Sequence, residues 1–299
     1  MTWSRRDWLA ASLGAVAGGG LTSVAPAIEP IARNGKPKFK FSLAAYSYRD
    51  LLSGAAPKLT LTDFVADCAK FGLEGVELTS YYFPKSVTAD YLRALAAQCF
   101  RLGLDVSGTA VGNDFGHPPG EERQKQIALV KQWVEYAAIL RAPVIRIFAG
   151  QAKKDSAPAQ AHSLMVSAME ECCEFAGRHG VYLALENHGG PTATAEGLLR
   201  FVRDVNSPWF GVNLDTGNFS SDDIYGDLAK AAPYAVNVQI KVSVIGPDKV
   251  KKPADYAKIA ALLRAAHYRG YIVLEYEEAG DPREECPQHL ARLREAFAG

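Results

Sequence analysis

Strand-like and helix-like segments alternate along almost the whole chain, and this alternation constrains the fold more than any other feature. The strand-like segments are short, apolar and rich in β-branched residues, whereas the segments between them have helical periodicity. The predicted strands are residues 39–48, 75–80, 104–111, 143–150, 181–188, 210–218, 236–244 and 271–277, and the predicted helices are residues 60–71, 88–102, 121–140, 159–179, 194–205, 223–231, 255–268 and 287–297. About eight strand–helix units predict a (β/α)8 TIM barrel in one domain, residues 39–299. A doubly wound sheet is the alternative, but no Gly-x-Gly-x-x-Gly follows the first strand.

The predicted helices begin and end at residues suited to those positions. Glycines stand just after four of them, where a left-handed C-cap is expected: Gly72, Gly103, Gly180 and Gly270. Hydroxyl or carboxylate side chains suited to N-caps stand at four helix starts: Thr62, Thr88, Thr194 and Asp255.

The first 27 residues have the pattern of an export signal. The paired Arg5 and Arg6 lie in Ser4-Arg5-Arg6-Asp7-Trp8-Leu9, an apolar run follows over residues 9–24, and Ala25-Pro26-Ala27 resembles a cleavage site. The run is short and glycine-rich for a transmembrane helix. An amphipathic helix that happens to carry two arginines is the alternative. We therefore expect a twin-arginine signal over residues 1–27, a linker over 28–38 and a periplasmic or otherwise exported protein.

Composition excludes some partners. Hydrophobic residues make up 48% of the chain, enough for a large core, and the formal charge is +0, so nothing indicates nucleic acid or stable membrane insertion. The five cysteines, an odd number without a C-x-x-C pair, are expected to be buried thiols rather than disulfides or zinc ligands: Cys68, Cys99, Cys172, Cys173 and Cys286.

Four consecutive predicted strands carry oxygen-bearing side chains near their carboxyl ends: Glu186, Asp215, Gln239 and Glu275. Ligands of parallel α/β folds bind beyond those ends, and consecutive barrel strands are neighbours, so the four side chains are expected to converge. Three carboxylates crowd together in ionised form only when a cation neutralises them. Carboxylate and amide oxygens suit one hard divalent ion, with Mn²⁺ expected first and Mg²⁺ or Co²⁺ as alternatives.

These motifs resemble the xylose isomerase-like TIM-barrel superfamily of sugar and sugar-phosphate isomerases and epimerases. The motifs are Leu185-Glu186-Asn187-His188, Leu214-Asp215-Thr216-Gly217-Asn218, Gln239-Ile240-Lys241 and Leu274-Glu275. The resemblance implies that the four converging residues hold the metal. It also implies that Glu186 and Glu275 are catalytic and move protons on opposite faces of the substrate.

Two positions depart from the pattern, since the family often has His where this chain has Gln239 and Asn218. Gln at the position of Gln239 is familiar among dehydratase relatives. Asn218 cannot titrate, so it cannot take the proton-handling role of a histidine at that position. Both changes raise the expectation of a lyase, dehydratase or hydratase acting on a keto-sugar or 3-keto-glycoside.

Other residues are candidates for substrate binding. Arg146 is a charge inside an apolar strand, where it must either pair with a carboxylate such as Glu186 or face the substrate. Lys241 either holds a substrate oxygen or forms a structural ion pair, and His188, Asn218 and His117 complete the candidate set. Tyr46 and Tyr48 either line the mouth of the site or serve only as packing.

The expected activity is a metal-dependent isomerisation or epimerisation of a sugar or keto-sugar through an enediolate. Elimination also begins with removal of the proton next to the carbonyl group. The residues alone therefore do not distinguish elimination from isomerisation. Two other classes remain: a sugar-binding protein without catalysis, and a phosphodiesterase of the endonuclease IV branch. Neutral charge and the lack of a His-rich metal set argue against the phosphodiesterase.

Overall fold

The computed structural model describes residues 29–154, 157–246 and 249–299. Eight parallel strands close into a barrel in the order β1-β10-β7-β6-β5-β4-β3-β2. Their bounds are β1 Lys38–Ala44, β2 Gly75–Thr79, β3 Asp105–Ala110, β4 Val144–Ile147, β5 Tyr182–Glu186, β6 Phe210–Asp215, β7 Ala235–Lys241 and β10 Arg269–Glu275. Two short strands, β8 Ser243–Ile245 and β9 Lys251–Pro253, form an antiparallel hairpin after β7. The closed barrel confirms the predicted fold class.

Helices follow the barrel strands and surround them. Their bounds are α1 Arg49–Leu52, α2 Leu61–Lys70, α3 Ala89–Arg101, α4 Glu121–Leu140, α5 Pro158–His179, α6 Ala195–Asp204, α7 Ile224–Ala231, α8 Tyr256–Ala265 and α9 Pro282–Phe297. Short α1 and the hairpin were not expected. Helix α9 begins five residues before the predicted start, because Asp281 caps it by accepting from the backbone N–H of Arg283.

The barrel strands end one to three residues earlier than predicted, except β1, which ends four residues earlier. The strand starting at Lys38 gives way to a 3-10 turn at Ala45–Tyr48. Polar residues that follow the strands belong to the loops of the carboxyl-terminal face. The apolar core lies mainly between the sheet and the helices, with fully buried side chains such as Leu43, Phe64 and Phe201.

Three of the four predicted C-cap glycines, Gly72, Gly103 and Gly180, have φ values of +63°, +73° and +69°, as expected of left-handed caps. Gly270 was wrongly assigned, because it lies within β10 and its φ is not positive. His267 takes the left-handed position after α8, with φ +53°. Glycine suits position 270 for another reason, since a Cβ there would lie 2.5 Å from Oη of Tyr268.

The N-caps Thr88, Thr194 and Asp255 are confirmed, but α2 is capped by Thr60 rather than by the predicted Thr62. Oγ1 of Thr60 accepts from the Asp63 backbone N–H at 3.3 Å. The Asp63 carboxylate accepts from the Thr60 N–H at 2.9 Å, which completes a capping box. Thr62 is the second residue of the helix, and its exposed side chain makes no cap.

Replacing Thr60 tests this assignment. Thr60→Ala is expected to lower the free energy of unfolding by about 1 kcal/mol, because the first turn of α2 loses a side-chain acceptor. The matched variant Thr62→Ala should stay within about 0.5 kcal/mol of the wild type. Denaturant unfolding of both variants compares them directly, and a larger loss for Thr62→Ala would return the cap to Thr62.

Residues 29–37 lie against the amino-terminal face of the barrel. The Arg33 guanidinium donates to the carbonyl oxygens of Ala266 and Ala235, and the Ile31 N–H donates to the carbonyl of Pro233 at 3.1 Å. The segment expected to be a linker is thus fixed to the barrel over its described part. The predicted signal, residues 1–27, lies outside the described residues. All five cysteines are buried and free, as expected. Within the described ranges, no helix has the length and apolarity needed to cross a membrane.

Candidate active site

Four barrel strands end on a charged side chain. Glu186, Asp215, Lys241 and Glu275 are the last residues of β5, β6, β7 and β10, and Arg146 lies one residue before the end of β4. All five side chains are less than 10% exposed. The structure therefore brings three carboxylates and two cations together at the carboxyl-terminal face, where barrel ligands bind.

Arg146 pairs with Glu186, one of the two partners expected from the sequence. Nε of Arg146 lies 2.8 Å from Oε2 of Glu186, and Nη1 donates to the Val111 carbonyl at 3.0 Å. The Nε contact has the distance of an ion pair but not the angle of a hydrogen bond. Burial raises the pKa of Glu186 to about 7, although Arg146 opposes the shift. At neutral pH this carboxyl group can therefore both accept and release a proton.

Lys241 lies among the other carboxylates. Its ammonium group binds Oε2 of Glu275, lies 2.6 Å from Oε2 of Glu277 and stands 3.5 Å from Oδ2 of Asp215. Burial alone would lower the pKa of Lys241, but Asp215 and then Glu275 raise it above its usual value. Lys241 therefore forms ion pairs with Glu275 and Glu277, one of the two roles expected from the sequence.

The backbone and one neighbouring amide fix the position of Asp215. Asn187 donates to the Asp215 carbonyl at 2.8 Å and accepts from its N–H at 2.9 Å, and Oδ1 accepts from the Gly217 N–H. Oδ2 is buried and accepts no hydrogen bond. Burial raises the pKa of Asp215 well above its usual value, and Lys241 only partly offsets this. Asp215 thus offers a fixed oxygen with free acceptor capacity.

A second polar cluster lies inside the barrel around Gln239. Nε2 of Gln239 donates to Oε1 of Glu77 at 2.6 Å, and Oε1 of Gln239 accepts from Asn213 at 2.6 Å. Asn237 donates to Oε2 of Glu77 and to Oδ1 of Asn213, each at 2.8 Å. Burial, with a smaller contribution from Glu275, raises the pKa of Glu77 to about 7. The side chain of Gln239 is therefore held rigidly by both atoms of its amide.

Glu77 was missed from the sequence, although a signal was available. It stands between Val76 and Leu78 in a buried strand, the same pattern of a lone charge among apolar residues that singled out Arg146. A charge in that position needs partners, which Gln239 and Asn237 provide.

The donor set fits a hard divalent cation in its chemistry. Glu186, Asp215 and Glu275 provide carboxylates, Oδ2 of Asp215 accepts no hydrogen bond, and the amide oxygen of Gln239 retains a second lone pair beside its bond from Asn213. Within the described part of the chain, no three His, Cys, Asp or Glu side chains already form a metal-binding group. Lys241 lies among the carboxylates instead. The four-ligand site stays a prediction.

The remaining candidates lie on two sides of the charged cluster. Asn218 donates to Oε1 of Glu186 at 2.8 Å, opposite Arg146. The centroids of the His188 and Phe148 rings are 4.5 Å apart. The Arg146 guanidinium lies over the Phe148 ring, 4.0 Å from its centroid. His188 and Phe148 line a cleft of about 200 Å³. Burial, then Arg146, lowers the pKa of His188, so the ring is neutral near pH 7.

Two candidates lie elsewhere. His117 lies 3.7 Å from Oδ2 of Asp114, and Lys153 in the loop after β4 contacts the same carboxylate. His117 thus contacts a loop residue rather than Glu186, Asp215 or Glu275. Tyr48 is buried against Phe64 and belongs to the core, whereas Tyr46 packs near Tyr81 at the mouth.

Cavity size does not locate the site. A cavity of about 590 Å³ lies at the amino-terminal face, lined by residues such as Arg33, Tyr182 and Phe210. A cleft of about 120 Å³ beside Lys241 and Glu275 is much smaller. We place the site at the smaller cleft, because the converging charged groups are there and the larger cavity is mainly apolar.

A family model described as xylose isomerase-like TIM barrel matches residues 65–296. The chain belongs to the xylose isomerase-like TIM-barrel family. The match covers the four strands that carry Glu186, Asp215, Gln239 and Glu275, which agrees with the resemblance of their motifs. No curated protein matches the chain in sequence.

Solved structures show the same fold at low identity. D-psicose 3-epimerase from Clostridium cellulolyticum H10, solved with D-tagatose, has a TM-score of 0.71 and 18% identity, over 86% of this chain and 99% of that one. The 3-keto-D-glucoside 4-epimerase of E. coli gives 0.70 and 17%, over 86% and 100%. The protein described as the probable 3-DHS dehydratase AsbF from Bacillus anthracis gives 0.65 and 19%, over 87% and 99%. These likenesses establish the fold, whereas the reaction must be argued from the site.

Proposed function

We propose that this protein is an isomerase or epimerase of a sugar or keto-sugar and that it acts by proton transfer next to a carbonyl group. One observation carries the proposal: two buried carboxylates, Glu186 and Glu275, end separate strands of one site, and each is paired with a cationic side chain. Family membership supports the substrate class, since the similar structures include epimerases of psicose and of a 3-keto-glucoside.

In the proposed reaction, one carboxylate removes the proton from the carbon next to the carbonyl. The C–H electron pair moves toward the carbonyl oxygen and gives an enediolate, and the opposite carboxyl group returns a proton to carbon. Arg146 and Lys241 provide positive charge in a buried site where negative charge develops on the substrate. Asn218 and Arg146 hold the two oxygens of Glu186 and so orient it.

A divalent cation, Mn²⁺ in the first instance, is part of the proposal. Glu186, Asp215, Gln239 and Glu275 would hold it, with Gln239 kept in place by Glu77. When bound, the ion would polarise the carbonyl group and lower the energy of the enediolate. His188 and Phe148 line the neighbouring cleft, where the rest of the sugar would bind.

Elimination is the second candidate. A carboxyl group whose pKa is about 7 is present in its acid form in a large fraction of molecules at neutral pH, and Glu186 is such a group. It could therefore protonate a leaving oxygen on the β carbon after the first proton transfer. A protein described as a probable 3-DHS dehydratase also has this fold. Both reactions begin with loss of the same proton.

One experiment tests the proposal and separates the two outcomes. The Mn²⁺-loaded protein is incubated in D₂O with keto-sugars and 3-keto-glycosides, and products are followed by NMR. Deuterium at the carbon next to the carbonyl, in a product of unchanged mass apart from the label, indicates isomerisation or epimerisation. Loss of water or of an alcohol indicates elimination. Conversion without label or isotope effect at that carbon contradicts both, and binding without conversion indicates a sugar-binding protein.

Replacing Asp215 tests the cation. Mn²⁺ at about 100 times its dissociation constant is expected to stabilise the wild type by about 2.7 kcal/mol, because the ion binds only the folded state. Asp215→Asn keeps an oxygen that accepts from the Gly217 N–H but removes the negative charge of the carboxylate. The stabilisation by Mn²⁺ should therefore disappear. Thermal unfolding with and without Mn²⁺ measures it. An unchanged Mn²⁺ response of the variant would exclude Asp215 as a ligand.

We also propose that the protein is exported, on the twin-arginine pattern around Arg5 and Arg6. Export favours free or glycosidic sugars as substrates, because sugar phosphates are mostly intracellular. N-terminal sequencing of the exported protein should begin near Ile28. A protein that keeps Trp3 and remains in the cytoplasm would contradict this part of the proposal.

A further inference from the structure

Lys241 contacts three carboxylates that differ in burial. Asp215 and Glu275 are inside the site, with side chains 0% and 7% exposed, whereas Glu277 is at the rim and 37% exposed. The ammonium group thus binds an inner and an outer partner at once. The inner partners are also proposed cation ligands, so the same two carboxylates serve two kinds of positive charge.

A metal ion and the Lys241 ammonium group cannot both bind closely to Asp215 and Glu275 without repelling each other. Without Lys241 or a metal ion, however, these two carboxylates would be buried without a cation, which is costly. Glu277 removes the conflict, because the ammonium group already contacts it at 2.6 Å and needs only to release its inner partners. The flexible four-carbon stem of lysine allows such a movement.

We propose that Lys241 is a built-in counter-ion that holds Asp215 and Glu275 when no metal ion is bound and moves to Glu277 when one binds. The inference rests on the cation of the proposed function and adds to it a residue that sets the cation affinity. Lys241 weakens cation binding by competing for the inner carboxylates. Glu277 strengthens cation binding because it accepts the displaced ammonium group.

The competition has a measurable consequence in Mn²⁺ affinity. Lys241→Met should lower the dissociation constant by about 5- to 150-fold, the usual range for coupling between two sites. Glu277→Gln should raise it by about fivefold or more, because Lys241 loses its outer partner and stays with the inner ones. General electrostatics predicts the same two signs, so the single variants alone do not decide the question.

The double variant decides it. If Glu277 acts by accepting Lys241, Glu277→Gln should have almost no effect, less than about twofold, once Lys241 is Met, since nothing remains to be accepted. If Glu277 acts only through its charge, its removal should weaken binding equally in both backgrounds. A matched control comes from Lys131 and Glu171, a partly exposed lysine–glutamate pair 2.6 Å apart between helices α4 and α5, which does not line the cleft of the site. Lys131→Met and Glu171→Gln should each change the dissociation constant by less than about twofold.

Isothermal titration of the metal-free full chain with Mn²⁺ provides these constants without any substrate. Lys241→Met is expected to be less stable than the wild type until Mn²⁺ is added, and Lys241→Gln replaces it in both backgrounds if Lys241→Met does not fold. A Glu277→Gln variant that binds Mn²⁺ like the wild type, or an equal effect in both backgrounds, overturns the inference and leaves the proposed function intact. Absence of Mn²⁺ binding in the wild type and in every variant overturns both.

Discussion

Glu275→Gln and Glu186→Gln are each expected to reduce proton exchange and turnover by about 10²- to 10⁴-fold, the usual contribution of a positioned acid or base. An amide has nearly the shape of the carboxyl group but can neither accept the substrate proton nor return it. Glu275→Gln is the cleaner variant, because Lys241 keeps Asp215 and Glu277 as partners. Deuterium incorporation into a true substrate measures the first step whichever product follows.

Glu171→Gln is the control for these variants. Glu171 pairs with Lys131 between helices α4 and α5 and does not line the cleft where the site is placed, so its loss should leave exchange within about twofold of the wild type. Circular dichroism of all three variants checks that the barrel is folded. Wild-type exchange rates in both Glu275→Gln and Glu186→Gln would remove the two carboxylates from the mechanism.

The fold was predictable because each of its elements has a local signal. Helical periodicity gave the bounds of α4 to the residue, and glycine correctly located three helix ends. The strand ends were placed too late because the polar loop residues that follow, such as Asn187 and His188, continue the extended pattern in sequence. Gly270 was misread because a glycine required by the close approach of Tyr268 has no distinct local signal.

The sequence predicted which residues lie together in the candidate site better than it predicted which side chains they contact. A barrel makes neighbours of consecutive strands, so the convergence of Glu186, Asp215 and Glu275 followed from the order of strands alone. Side-chain partners depend on distances across the barrel. Gln239 reaches Glu77 on a strand 162 positions away, and sequence periodicity contains no information on such a pair. The placement of Lys241 between inner and outer carboxylates is likewise a property of packing.

Arg146→Met is expected to give the largest loss of stability of any single change proposed for the site. Arg146 and Glu186 are 6% and 4% exposed, so solvent does not screen their interaction. Removing one partner of a buried pair leaves the other uncompensated and typically costs about 3–5 kcal/mol. Asn218 still donates to Glu186, but a neutral amide does not replace the charge of the guanidinium group.

Arg123→Met separates this electrostatic effect from the loss of a large buried side chain. Arg123 is also buried, but its recorded hydrogen bonds go to the Ser167 hydroxyl and the Phe115 carbonyl rather than to a carboxylate. Its replacement should cost less, about 1–2 kcal/mol, because no buried charge loses its partner. Urea unfolding at about pH 9 compares the two variants under conditions in which Glu186, whose pKa is about 7, is ionised in the wild type.

A double variant completes the argument. Once Glu186 is Gln, the loss of Arg146 no longer leaves a buried carboxylate unpaired, so Arg146→Met should cost at least about 1 kcal/mol less in that background than in the wild type. Such a coupling would show that Arg146 stabilises the barrel mainly by neutralising the proposed catalytic carboxylate. Equal costs in the two backgrounds would mean that Arg146 contributes through packing and its bond to Val111, and that Glu186 tolerates burial without it.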